Sequence, residues 1–358
     1  MKKAFALFLA LSVVLTMVSC AKPAPKGYEI ALITDLGTID DKSFNQGAWE
    51  GVVAYAKANN KTHKYYQPTE QSNDAYLAQI ALAVENGAKI IVTPGFLFEV
   101  PIFIAQDEFP NVSFILLDGN PNDGDWSAGA PTFKTNKNVV GVTYAEQESG
   151  YLAGYAAVKD GYTKLGFMGG MAVPAVVRFG YGFVQGINDA AKELGVDAKL
   201  MYHYTGGFDA TPEAQNLAAS WYNAGTEVIF ACGGAVGFSV FAAAEAAGKK
   251  SIGVDVDQSA ESETIITSST KSLAPGVELL ISQFYAGKFP GGENLVLDAS
   301  NDSVGLPMET SRFKTFSQAD YDALYAKLKA KEFAIFTDAT AENAAGLPVT
   351  NVQLTVVE

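Results

Sequence analysis

The sequence predicts an α/β protein of two similar units, each a parallel sheet flanked by helices, joined so that they can hinge. Three observations point there. Short apolar, β-rich runs alternate with helical patterns along most of the chain. The alternation runs twice, with a break near Thr143. Strand after strand then releases the chain into a glycine, an aspartate or an aromatic ring. In open α/β sheets ligands sit just beyond the carboxyl ends of the strands, so such junctions are where a site would lie.

The 358 residues suffice for two domains or one large one. With 48% hydrophobic and 18% charged residues the chain reads as globular, and its net charge of −14 argues against nucleic acid, whose phosphates need Lys and Arg. No glycine-rich loop ends in Gly-Lys-Ser/Thr, which argues against nucleotide phosphates.

In the first unit the expected strands are Glu29–Thr34, Thr62–Tyr66, Lys89–Thr93 and Val112–Leu117. Helical patterns at Ser43–Asn59, Asp74–Glu85 and Pro101–Glu108 separate them, and Pro101 suits a first helical turn. The first junction holds most of the polar chemistry. After Ile33-Thr34 the chain turns at Asp35, Asp40 to Ser43 offer a helix cap, and Phe44, Ala48 and Tyr55 share a helical stripe. Taken alone, Asp35 and Asp40 are as well explained as turn and cap residues, and Phe44 as core. The recurrence shifts the balance: Thr93-Pro94 to Gly95-Phe96, Leu117 to Asp118-Gly119, Met168 to Gly169-Gly170, Thr205-Gly206-Gly207 to Phe208, Cys232 to Gly233-Gly234, Val254 to Asp255. Glycines allow close backbone approach, carboxylates accept a ligand's donors and rings cover its apolar faces.

A loop rich in Gly, Pro, Asn and Asp runs from Gly119 to Asn138, and Val139–Thr143 reads as a strand leading elsewhere. The second unit has strands at Lys164–Met168, Lys199–Tyr204, Glu227–Phe230 and Ser251–Val254, with helices near Ala175–Leu194, Pro212–Ala224 and Phe238–Ala247. A further strand, Thr264–Ser268, and helix, Leu273–Ala286, find no evident place there and are assigned back to the first unit. Helix Gln318–Lys331 and strand Val352–Val357 close on the second. The lobe boundaries drawn, 28–142 with 269–299 and 143–268 with 300–358, nonetheless leave Thr264–Ser268 itself on the second side. Chains that cross repeatedly between lobes can close around a ligand.

The first 19 residues read as a secretory signal, with Lys2 and Lys3 before the apolar run Ala4 to Val18. Val18-Ser19-Cys20 resembles the bacterial lipobox, although Met17 stands where Leu is usual. Cys20 is therefore the expected lipidation site and 20–27 a tether, with ordinary secretion as the alternative. With Cys20 lipidated, Cys232 has no disulfide partner; it follows an apolar run and reads as a small buried residue. His63 and His203 flank no ligand pattern, so neither a metal nor a cofactor is expected.

The stretch Ile33-Thr-Asp-Leu-Gly-Thr-Ile-Asp-Asp-Lys-Ser-Phe-Asn-Gln-Gly-Ala-Trp-Glu-Gly51 resembles the signature of the basic membrane protein family. Those are lipid-anchored substrate-binding proteins of ABC transporters, several of them purine-nucleoside receptors. Gly95-Phe-Leu-Phe98, Phe114-Ile-Leu-Leu-Asp118, Ile252-Gly-Val-Asp-Val-Asp-Gln258 and Thr267-Ser-Ser-Thr-Lys271 resemble its later motifs. The resemblance implies a two-lobed type I periplasmic-binding-protein fold, an extracytoplasmic location on a bacterial membrane, and ABC permease and ATPase subunits as partners. It implies adenosine, guanosine or inosine as ligand, with Asp35 and Asn45 bonding the base and Phe44 stacked on it. It further implies Asp118 as a second base-contacting acid, Phe208 (or Tyr204) as the opposite wall, Gly233 at a glycine-rich strand end, Asp255 on the ribose and Lys271 reaching sugar or base. Cys232 and Ala235 depart from the family's usual residues.

Two other classes fit the sequence less well. Nucleoside hydrolases carry a calcium-binding Asp-x-Asp-x-x-x-Asp-Asp pattern after the first strand; begun at Asp35, it would need aspartates where Gly37 and Lys42 stand, so the metal lacks its cage. A surface lipoprotein that engages host macromolecules would not need a pocket of convergent acids and rings.

Overall fold

The computed structural model describes residues 27–35 and 37–357. The expected signal peptide, Cys20 and the tether up to residue 26 lie outside the described residues. Strands β1 (Ile30–Ile33), β2 (His63–Tyr66), β3 (Ile90–Pro94), β4 (Ser113–Leu117) and β5 (Val139–Tyr144) alternate with helices α1 (Phe44–Ala58), α2 (Asn73–Glu85) and α3 (Glu99–Glu108). Helix α4 (Glu146–Lys159) leads into β6 (Lys164–Gly169), α5 (Pro174–Leu194), β7 (Ala198–Tyr204), α6 (Pro212–Asn223), β8 (Val228–Cys232), α7 (Val236–Ala247), β9 (Lys250–Asp255) and β10 (Ile265–Lys271). The chain ends through α8 (Leu273–Tyr285), β11 (Asn294–Leu297), β12 (Val304–Gly305), α9 (Gln318–Lys329) and β13 (Val352–Val356).

Two sheets result, in the orders β11-β5-β4-β3-β1-β2 and β12-β10-β9-β8-β6-β7-β13. All pairings between these strands are parallel except that of β10 with β12. Strands covered by helices on both faces must be apolar throughout, and the Ile-Ala-Leu-Ile of β1 and Ile-Ile-Val-Thr-Pro of β3 are buried at every position. One continuous core runs from the face of the first sheet beneath α1 and α8 to the face of the second beneath α4 and α5. Separate cores cover the two outer faces.

Two expectations are corrected by the pairing. The stretch Thr264–Ser268, assigned above to the first unit, is β10 and pairs with β9 in the second sheet. Its hydroxyls explain why: Ser269 donates to Ser149 (2.8 Å), Thr270 to the Gly305 carbonyl (2.9 Å), and Ser268 accepts from the Gln258 amide (3.0 Å). Of the strand and helix assigned there only α8 returns, packing on α1, and β11 follows it into the first sheet. The strand at Val139 does not lead away either; β5 lies between β4 and β11, and the chain leaves the first sheet at Ala145. Together with passages at Ser272 and at 298–303, this gives three connections between the sheets.

Helices α4 and α5 touch backbone to backbone. A Cβ on Gly150 would lie 2.2 Å from the Phe179 carbonyl oxygen, and one on Gly182 2.0 Å from that of Gln147. Gly154 and Gly186 are as tightly placed, against Phe183 and Tyr151. No side chain fits between these helices, so their first turns are held in fixed relation at the edge of the cleft.

Candidate functional site

The carboxyl ends of the two sheets face a cavity of about 270 Å³, near the lower limit of the ~300–1,000 Å³ of small-molecule clefts. All eight residues expected to bind ligand line it: Asp35, Phe44, Asn45, Asp118, Phe208, Gly233, Asp255 and Lys271. Of the two candidates for the opposite wall Phe208 lines the cavity, whereas Tyr204 is turned inward, its hydroxyl 2.8 Å from that of Tyr202. The Gly169-Gly170 junction serves another purpose than close approach to a ligand. Cβ atoms there would collide with the rings of Tyr204 (2.7 Å) and Phe208 (2.4 Å), so these glycines make room for the aromatic wall.

On the first lobe the cap of α1 organises the site. Asp41, not Asp40 or Ser43, takes the free amides: those of Ser43, Asn45 and Gln46 donate to its carboxylate at 2.9–3.0 Å. Burial raises Asp41 to about 6, against these bonds. Asn45 donates from Nδ2 to Asp35 (3.1 Å) and Asp41 (3.2 Å), and its Oδ1 is buried without a partner. With its donors engaged, the amide leaves a ligand only an acceptor. Asp35 also accepts from the Gly37 amide (2.6 Å), and burial raises its pKa.

Lys271 is the centre of the charge arrangement. It ends β10, and its side chain is 2% exposed. The ammonium lies 2.6 Å from Asp118 Oδ2, 3.4 Å from Asp255 Oδ1 and 3.7 Å from Glu146 Oε1. It also lies 4.3 Å from the centroid of Phe44, with Tyr144 and Phe179 beyond. Burial opposes its charge, but the three acids outweigh burial and hold its pKa above the usual lysine range. Burial drives Asp118 up to about 7; Lys271 opposes that rise while Glu146 and Asp255 add to it.

Asp118 directly follows β4 and Asp255 ends β9, one strand in each sheet, and both have left-handed backbone (φ 56° and 66°), which few residues other than Gly, Asn and Asp adopt. Asp118 Oδ1 is buried and unpartnered, an acceptor in the cavity wall. Asp255 Oδ2 accepts from Ser43 Oγ at 2.5 Å, a bond that joins the first-lobe helix cap to the second-lobe strand end. Beside it the Gln258 amide donates to the Lys42 carbonyl (2.8 Å).

Reasoning from sequence missed Glu146, Arg178 and Phe179. Phe179 and Val176, on the first turns of α5, line the cavity. Glu146 is fully buried at the first position of α4 and accepts from Arg178 Nε at 2.6 Å. One signal was available: the chain has only two arginines, and Arg178 stands inside an apolar helical run. Arginine there points to a buried carboxylate, which a guanidinium meets with a fixed fork of donors.

Among the described residues no group of His, Cys, Asp and Glu could hold a metal ion, and no helix is long and apolar enough to cross a membrane. Residues 29–336 match a family described as ABC transporter substrate-binding protein PnrA-like, Bmp. The chain is 31% identical to the ABC transporter nucleoside-binding protein BmpA of Lactococcus lactis subsp. cremoris, over 83% of this chain and 87% of that one. It is 28% identical to basic membrane protein A of Borreliella burgdorferi, over 94% and 96%. In fold it is similar to a solved ABC transporter solute-binding protein from Aeropyrum pernix K1, with a TM-score of 0.76, 22% identity, and 89% and 95% of the two chains covered.

Proposed function

Because the chain belongs to the Bmp family of PnrA-like ABC transporter substrate-binding proteins, we propose that it captures purine nucleosides between its lobes and delivers them, without turnover, to a permease and ATPase pair. The carrying observation is the composition of the cavity wall. Each lobe contributes a ring and at least one acid, Phe44 with Asp35 and Asp118 from one, Phe208 with Asp255 from the other. A flat heteroaromatic base fits between rings, each worth ~1–3 kcal/mol of stacking. Ring N–H and amino groups find Asp35, Asn45 Oδ1 and Asp118, which act as acceptors. A ribose diol finds Asp255, with the Lys271 ammonium 3.4 Å from its Oδ1. The named nucleoside-binding relative supports the same ligand class. The protein is held outside the cytoplasm by a lipid on Cys20.

Calorimetric titration with paired ribo- and 2′-deoxynucleosides tests this. Losing one hydroxyl leaves part of a buried charged acceptor unpaired, a cost of ~1–3 kcal/mol. The deoxynucleoside therefore binds about tenfold weaker or more. The free base is weaker still, and a 5′-monophosphate is rejected. Asp255→Ala abolishes most of the ribo/deoxy difference. Equal binding of both sugars by the wild type, or a preference for free sugar, overturns the assignment.

A further inference from the structure

Three carboxylates surround one ammonium at the floor of the cleft, and only two of them face the cavity. Asp118 and Asp255 line it; Glu146 does not. Glu146 is nonetheless 3.7 Å from Lys271 through Oε1, an oxygen with no hydrogen-bond partner, and it is fully buried. Unopposed, it would compete with the two ligand-facing acids for their shared cation. Arg178 opposes it, donating from Nε to the other oxygen of Glu146 at 2.6 Å, with its side chain 14% exposed. The glycine contact of α4 with α5 fixes this pair, since Glu146 opens one helix and Arg178 lies in the first turns of the other. At its outer end Arg178 Nη1 reaches Asp338 (3.3 Å).

We propose that Arg178 is a positioning residue for the ligand site: by neutralising Glu146 it leaves Lys271 to Asp118 and Asp255, the acids that meet the ligand from opposite lobes. Arg178 itself does not line the cavity. The bookkeeping of charge gives the reason. Three acids, Asp118, Asp255 and Glu146, share the two cations Lys271 and Arg178. Without Arg178 the excess of acids over cations doubles from one to two in a dry site, and the proton that Asp118 takes up near pH 7 is held to higher pH. A protonated Asp118 offers a donor where the ligand needs an acceptor. The groups facing Asp118 are Lys271 from β10, Glu146 from α4, Asp255 from β9, the Tyr144 hydroxyl from β5, the Cys232 thiol from β8 and, farther off, Arg178 from α5. The charge of Glu146 already raises Asp118, in keeping with this.

The inference rests on the nucleoside reading for its binding assay, and has a second assay that does not. Adenosine, guanosine and inosine are titrated against wild type, Arg178→Gln, Glu146→Gln, Arg178→Lys and the double variant Arg178→Gln/Glu146→Gln from pH 6 to 9. Arg178→Gln is expected to bind about tenfold weaker at pH 7, with its pH profile displaced upward by about one unit. The double variant and Arg178→Lys return the profile to the wild-type position, because one removes the competing charge and the other restores its neutraliser. A merely structural role predicts a double variant no better than Arg178→Gln. Denaturation of the ligand-free proteins gives the second readout: Arg178→Gln loses stability as pH rises, and Glu146→Gln suppresses that loss. If wild type binds none of the nucleosides, the nucleoside reading fails while the denaturation series still decides this inference. An unshifted profile in Arg178→Gln, or a shift that persists in the double variant, overturns it. If Arg178→Gln does not fold, a double variant that folds supports the proposal and one that also fails to fold contradicts it.

Discussion

Replacing Lys271 by Met removes the ammonium while keeping most of the side chain's bulk. Its partners are buried: the side chains of Asp118, Asp255 and Glu146 are 7%, 9% and 0% exposed. Breaking a buried ion pair from one side costs ~3–5 kcal/mol, because a charge is left unpaired in a poorly solvated site. The expected loss at pH 8 is of that order, and the contact with the Phe44 face at 4.3 Å goes with it. The pH dependence carries the sharper information. Asp118, already raised from 3.8 to about 7 by burial, rises further when its cation is removed. An acid with a folded pKa above its unfolded one binds protons more tightly when folded. Its ionised form therefore burdens the fold above the folded pKa, and the burden is relieved as pH falls through it. Urea denaturation of Lys271→Met and wild type at pH 5 and pH 8 should show the difference shrinking toward pH 5. A loss under ~1 kcal/mol at pH 8, or one equal at both pH values, would refute the role given to Lys271.

Phe44→Ala should weaken every purine nucleoside by ~1–3 kcal/mol, since stacking does not read edge groups. Asp118→Asn should instead reorder the purines, because it exchanges an acceptor for a mixed group; calorimetry with equal losses across all purines for both variants would contradict these roles. Cys20→Ser should move the protein from the membrane to the soluble fraction, and detergent partitioning unchanged from wild type would contradict the lipid anchor. Gly182→Ala drives a methyl against the Gln147 carbonyl, 2.0 Å away, and should lower stability by ~1–3 kcal/mol in thermal or chemical melts.

The junction residues were legible because a strand end that approaches a ligand needs a small set of residue types, and this chain repeats them at successive strands. That pattern is local in sequence. What stayed hidden is not. Glu146 looks like an ordinary acid in the first turn of a helix, and only the glycine-lined contact of α4 with α5 brings Arg178 to it. The destination of Thr264–Ser268 was misread because a hydroxyl-rich strand carries little apolar pattern; its place is set by pairing with β9 and by bonds from the next residues of the strand, Ser269 and Thr270, to Ser149 and Gly305, distant in the chain. The spent donors of Asn45 were invisible for a similar reason, since they depend on where Asp41 folds back to cap α1.

Native mass spectrometry of the freshly purified protein, before and after incubation with a mixture of purine and pyrimidine nucleosides, tests the binding assignment most directly. Tight closure of two lobes around a stacked base and a charge-paired ribose predicts a one-to-one adduct with the mass of a purine nucleoside, exchanged by added purine nucleosides and not by pyrimidine ones. Protein that stays free after incubation, or an adduct of another chemical class that purine nucleosides do not displace, would contradict it.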